Sequence, residues 1–218
     1  VHVTGHFAGT VDFDPGVGTA NLISTGGLDV FIAKYDVSGN YVWAKGMGGL
    51  GTEVGFGIAL DGSGNVHITG SLLGANADFD PGAGTALLST AGNDDIFIAK
   101  YDASGNYVWA NRVGGTNSDI GYAITLDGSS NVHVTGYFRG SNIDFDPGAG
   151  TANMSSSGSD DIFIAKYDAS GNYVWAKRMG GLVTESGTGL ALDGNGNLHV
   201  TGYFNSINAD FDPGPGTA

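Results

Sequence analysis

The segment DIFIAKYDASGNYVWA occupies positions 95–110 and recurs unchanged at 161–176, with a slightly altered copy at 29–44. Trp43, Trp109 and Trp175 are spaced by 66 residues, as are Asp12, Asp78, Asp144 and Asp210, and one residue is missing from the period after Gly5. A chain copied at a fixed period is one supersecondary unit in tandem, and each unit buries its apolar faces against its neighbours. The period divides the chain into residues 29–94, 95–160 and 161–218, the last with a truncated connector. Residues 1–28 are then the end of a preceding repeat with its connector.

Within one period, four runs read as strands: A (30–36, VFIAKYD), B (41–47, YVWAKGM), C (56–61, FGIALD) and D (66–72, VHITGSL). A joins B through DVSGN at 36–40, and C joins D through DGSGN at 61–65. Such short links rich in Gly, Asn, Asp and Ser make antiparallel neighbours. In strand A both alternating sets are apolar, Val30 with Ile32 and Phe31 with Ala33 and Tyr35, so both faces of the sheet need cover. Four-stranded sheets stacked face to face are what a propeller supplies. The longer connector, ADFDPGAGTALLSTAGN at 77–93, has the makings of an extra hairpin with arms Asp78-Phe79 and Leu87-Leu88-Ser89 around a turn at Asp80-Pro81-Gly82-Ala83-Gly84. No segment sustains apolar spacing at 3.6 residues, so helix is not expected. The expected fold is all-β: tandem four-stranded antiparallel blades of β-propeller type, three blades plus an orphan strand, or else an open stacked array or fibre of the same units.

The opening strand, 1–5, reads as a surplus strand D, and the closing residues 210–218 stop inside a connector. These features, with a first residue that is not methionine, lead us to expect a longer parent whose further repeats pack against both ends.

Apolar residues make up 41% of the chain and charged residues 14%, which excludes a disordered polymer. Gly accounts for 40 of 218 residues without a collagen spacing, consistent with many turns. Acidic residues outnumber basic ones 22 to 8, a net charge of −14, so nucleic acid and anionic membranes are poor partners. Without cysteine there are neither disulfides nor thiolate metal sites. No apolar run approaches the ~20 residues needed to cross a bilayer as a helix.

Several segments together resemble the bacterial β-propeller repeat known as SBBP: DIFIAKYD at 95–102, VWA at 108–110, Gly114-Gly115, LDGSSNVHVTG at 126–136 and DFDPG at 144–148. The departure is histidine at His67, His133 and His199, where that family often has tyrosine. The resemblance implies a bacterial propeller in an exported protein and an extracellular or cell-surface location. It implies no shared activity.

Residues able to carry chemistry are few. Serines such as Ser38, Ser104 and Ser170 lie in turns with no histidine and acid arranged nearby, and no glycine motif cradles phosphate. His2, His67, His133 and His199 hold one position in four copies of strand D, one per blade, which suits packing better than a metal ring. His6 is not repeated. In DFDPG, Asp12 and Asp14, Asp78 and Asp80, Asp144 and Asp146, and Asp210 and Asp212 stand two residues apart beside loop carbonyls, a donor set suited to calcium. The same Asp-Pro-Gly also forms an ordinary turn in which aspartate caps amides, and a full DxDxDG loop is missing. Glu53, Asp119 and Glu185 recur just before strand C, either lining one face or capping amides. Tyr41, Trp43, Tyr107, Trp109, Tyr173 and Trp175 are core aromatics or, alternatively, a glycan platform.

These features point to a non-catalytic structural or adhesive repeat module, with no required cofactor beyond the calcium option. Its expected partners are further copies of the repeat, in cis or in trans, or a glycan or surface protein. A lectin-like propeller and an extracellular filament are the alternatives, and near-identical copies argue against a unique active site.

Overall fold

A computed structural model describes residues 1–214 and 216, so Pro215, Thr217 and Ala218 of the closing connector lie outside the described residues. The described residues form strands and turns without a helix. In chain order the strands are β1 (His2–Phe7), β2 (Thr10–Asp12), β3 (Asn21–Ile23), β4 (Asp29–Tyr35), β5 (Tyr41–Met47), β6 (Thr52–Leu60), β7 (Val66–Leu73), β8 (Ala77–Asp78) and β9 (Leu87–Leu88). The next period supplies β10 (Asp95–Tyr101), β11 (Tyr107–Val113), β12 (Ile120–Leu126), β13 (Val132–Phe138), β14 (Ile143–Asp144) and β15 (Asn153–Met154). The last supplies β16 (Asp161–Tyr167), β17 (Tyr173–Met179), β18 (Glu185–Leu192) and β19 (Leu198–Phe204).

Each A–B and C–D hairpin is closed by one clamp. Asp36 Oδ1 accepts the backbone N–H groups of Ser38 (2.8 Å) and Asn40 (2.9 Å), while the Asn40 amide donates to Asp36 Oδ2 at 2.9 Å. The same clamp recurs at Asp61, Asp102, Asp127, Asp168 and Asp193. Its fourth residue needs a positive φ, supplied by glycine except at Ser130, which adopts φ 61°.

The blades are four-stranded and antiparallel, but they are phased differently from the sequence period. Their orders are β11-β10-β7-β6 and β12-β13-β16-β17, flanked by β1-β4-β5 at one end and β18-β19 at the other. A blade therefore consists of C and D of one repeat with A and B of the next, and it straddles the boundaries drawn at 95 and 161. Grouping A to D of one period as a blade follows the order of the strands within the repeat. The link from B to C, Gly48–Gly51 in the first repeat, carries no clamp and leaves one blade for the next, whereas D and the following A pair along seven residues, Asp95↔Leu72 to Tyr101↔Val66. The long connector is no obstacle to this pairing, because it folds back as its own hairpin, β2-β3, β8-β9 or β14-β15.

Two apolar layers follow from the two-faced strand A. Val30, Ile32 and Met47 of the first sheet meet Ile68, Leu72, Phe97 and Ala99 of the second. From the opposite face of the second sheet, Ile96, Ile98 and Val113 meet Val132, Val134, Phe163 and Ala165 of the third. Each fully buried aliphatic or aromatic side chain contributes about 1.5–3 kcal/mol. C strands form the inner edges and approach each other closely: a Cβ on Gly57 would stand 3.1 Å from both the Tyr122 carbonyl and the Ile124 nitrogen.

Candidate functional site

The repeat unit's chemistry collects where the start of strand A, the end of strand B and the connector hairpin meet. Asp29, Asp95 and Asp161 open β4, β10 and β16 and are 3%, 0% and 0% exposed. Each accepts an N–H from four residues upstream on Oδ2, from Thr25 (3.0 Å), Ala91 (2.8 Å) and Ser157 (2.9 Å). Their Oδ1 atoms have no hydrogen-bond partner. A second buried acid stands beside each: Glu53, Asp119 or Glu185, all 0% exposed, from the start of strand C in the next blade. A Cβ on Gly48 would fall 2.6 Å from Asp29 Oδ1 and 2.7 Å from Glu53 Oε2, so the two carboxyls crowd one glycine.

Burial pushes the Glu53 and Asp119 carboxyls up to about 7, and the neighbouring Asp29 and Asp95 add to it. Asp29, Asp95 and Asp161 are also raised, first by burial, although N–H donors oppose the shift. Two buried carboxyls side by side do not both ionise readily, so Glu53 and Asp119 retain a proton into the neutral range. Glu53, Asp119 and Glu185 cap amides: Gly49, Gly115 and Gly181 donate to them at 2.9, 2.8 and 2.7 Å. In two repeats a guanidinium reaches the pair, Arg112 Nη1 to Asp95 Oδ2 at 2.5 Å and Arg178 Nη1 to Asp161 Oδ2 at 2.8 Å.

The paired aspartates of DFDPG shape the connector hairpin. Asp12, Asp78 and Asp144 each accept on Oδ1 the N–H two residues on, at 3.0 Å, and the N–H eight residues on, at 2.8 Å. Asp210 accepts from Asp212 N–H at 3.0 Å. Asp14, Asp80, Asp146 and Asp212 in turn accept from Gly16, Gly82, Gly148 and Gly214 at 2.7–2.8 Å. Among the described residues, no three acidic or histidine side chains converge in an arrangement able to hold a metal ion.

Three of the four strand-D histidines are packing groups, whereas His199 is exposed, 3.6 Å from Asp193. His2, His67 and His133 meet the edges of Trp43, Trp109 and Trp175 at ring separations of 6.0, 6.1 and 6.2 Å. Burial pushes His67 down to about 4, so it is neutral in the fold. The tryptophans also cover the turn glycines of the next blade, Trp43 over Gly105 and Trp109 over Gly171, which places them between blades. Sequence reasoning missed Asp29, Asp95 and Asp161 as site residues. The available signal was an invariant acid at the head of an otherwise apolar strand, with an arginine 17 residues later in two copies.

Stacked four-stranded blades with one repeated, buried acidic pair per period define a tandem-repeat protein of β-propeller type. No family model matches the chain. It is 29% identical over 216 residues, 88% of its length, to an uncharacterized WD repeat-containing protein of Acanthamoeba polyphaga mimivirus. It is 32% identical over 111 residues, 51% of its length, to the regulatory protein FlaEY of Caulobacter vibrioides. The chain spans 16% and 12% of the lengths of those two proteins.

Proposed function

We propose that the chain is a segment of a non-catalytic scaffold, at a bacterial cell surface or outside the cell, whose repeats present equivalent acidic loops for multivalent attachment to a protein partner. The observation that carries this reading is the connector hairpin. In every period the same Asp-Pro-Gly loop is held in one conformation by its own aspartates, with exposed tips such as Gly16, Gly82 and Gly148. Identical surfaces at a fixed spacing favour avidity over a unique pocket, and a net charge of −14 favours basic partners. Similarity to a WD repeat-containing protein supports the propeller-type architecture, and the SBBP-like motifs support the exported, bacterial setting. Further copies of the repeat, in cis or in trans, would supply strands A and B to the hairpin β18-β19.

The test is surface binding by the intact chain to an oligolysine peptide and to a neutral glycan array. Salt-sensitive binding of the peptide that weakens stepwise as Asp80, Asp146 and then both become Asn supports the scaffold. Binding of one glycan per repeat, untouched by those substitutions, would replace it with the lectin-like reading.

A further inference from the structure

The three copies of the acidic slot differ at one position. By the period, Gly46 on β5 stands where β11 has Arg112 and β17 has Arg178. Arg112 Nη1 donates to Asp95 Oδ2 at 2.5 Å and to the Gly114 carbonyl at 3.2 Å. Arg178 Nη1 donates to Asp161 Oδ2 at 2.8 Å and to Ser157 Oγ. These side chains are 31% and 37% exposed, so the slot they fill opens to solvent.

In the first repeat the acceptors remain and the cation is gone. Asp29 is 3% exposed and lines the slot, and its Oδ2, the atom that takes the guanidinium in the other two copies, accepts the Thr25 N–H alone. Thr25 supplies the hydroxyl that Ser157 offers Arg178, and Gly48 the carbonyl that Gly114 offers Arg112. That carbonyl accepts from Asp78 N–H at 2.9 Å and has a second lone pair. A cavity of about 390 Å³ lies where the side chain is missing, bounded also by Asp78 and Asp80. The corresponding cavity of the third repeat, with Arg178 among its walls, measures about 300 Å³. Lys45 is not the substitute cation. Its stem runs against Gly105 of the next blade, where its charge acts on Asp102, and its counterpart Lys177 borders the third slot together with Arg178.

We propose that the slot of the first repeat binds a guanidinium group, the side chain of an arginine in a partner protein or a small free guanidine, held by Asp29, Thr25 and the Gly48 carbonyl. The assignment rests on the comparison of the three copies and stands independently of the scaffold role. A planar guanidinium can address carboxylate, hydroxyl and carbonyl together, which a compact ammonium cannot match.

The test is titration of the intact, isotope-labelled chain with methylguanidinium, followed by amide resonances. We expect saturable shifts at Thr25, Gly46, Gly48 and Gly49 with a Kd on the order of millimolar and binding about tenfold weaker for methylammonium. Asp29→Asn should weaken binding at least about tenfold. Gly46→Arg should abolish it by filling the slot from within. That variant is expected to fold, because the nearest atoms to a Cβ at Gly46 belong to the side chains of Phe7 (3.3 Å) and Leu22 (3.6 Å), which need shift by only a few tenths of an ångström, and the period already carries arginine at this position in the other two copies. Arg178→Gly should open a second site, with new shifts at Ser157 and Gly180. Tighter binding of an Arg-containing pentapeptide than of methylguanidinium assigns a partner's arginine, and the reverse assigns a free guanidine. Absence of saturable shifts at these amides, or the same shifts in Gly46→Arg, overturns the proposal.

Discussion

Replacing Glu53 with Gln should stabilise the protein at pH 8 and leave it nearly unchanged near pH 4. Glu53 is fully buried, its Oε2 accepts Gly49 N–H at 2.9 Å, and its Oε1 has no partner. Burial first, and the Asp29 charge after it, hold the carboxyl at about 7 against an ordinary 4.5. At 1.36 kcal/mol per tenfold change in proton affinity, the ionised form is disfavoured by about 3 kcal/mol. The native carboxyl keeps its proton between pH 4.5 and 7, where the unfolded chain has released it. The stability this contributes is therefore fully present below the unfolded value and lost as pH rises through the folded one. Gln keeps an acceptor for Gly49 and has no charge to desolvate. The variant's advantage should grow from near zero to about 1–3 kcal/mol above neutrality. For a chain of this size that is a melting temperature higher by about 2–10 °C. Thermal unfolding followed by far-UV circular dichroism from pH 4 to 9 measures it. A difference that does not vary with pH, or a variant less stable at pH 8, would refute the reasoning and show that the carboxylate's charge is compensated in the fold.

Ser130 adopts φ 61° where the other clamps have glycine near +80°, so Ser130→Gly should gain about 1 kcal/mol, read as a rise of about 2–4 °C in melting temperature. Gly136→Ala should do the reverse. Its Cβ would land on the Ile120 carbonyl of the paired strand, and denaturant unfolding should show a loss of about 3 kcal/mol. His67 is held down at about 4 by burial and Lys100, so its contribution is fully present above pH 6.5 and is lost as pH falls toward 4. In His67→Gln that acid-limb loss should shrink by about 2–3 kcal/mol, measured by urea unfolding at pH 7 and pH 4.5. Millimolar calcium should move the melting temperature by less than about 1 °C, because the Oδ1 atoms of Asp78, Asp144 and their partners already serve amides. A rise of several degrees that chelator reverses would restore the calcium assignment.

The strands were legible because their signals are local. VFIAKYD and YVWAKGM carry apolar alternation, and the DxSGN links between them carry the residues a clamp demands. The blade boundary was not legible, since it depends on which junction pairs, B with C or D with the next A. Chain order within the period suggests the first, whereas D pairs with the next A along seven residues, β7 with β10 and β13 with β16. The extra hairpin was foreseen from Asp-Pro-Gly, although its arms, Ala77–Asp78 and Leu87–Leu88, are shorter than the apolar run suggests.

The acidic pair escaped sequence reading for a different reason. Asp29 and Glu53 are 24 residues apart and belong to different blades, and neither stands in a motif that demands an acid. Their meeting depends on Gly48, whose missing side chain leaves room for both carboxyls. Once the pair is known, the differences between copies become more informative than the likenesses. Positions shared by all three repeats are sufficiently explained by stacking one sheet on the next, whereas Gly46 against Arg112 and Arg178 is not. The arginines neutralise a buried acid from within the chain, at charge-assisted hydrogen-bond distance. A repeat that keeps the buried acid and gives up its arginine leaves Asp29 to be neutralised by a proton or by a cation from outside. A proton requires nothing of Thr25 or of the solvent-open cavity, and a guanidinium uses both.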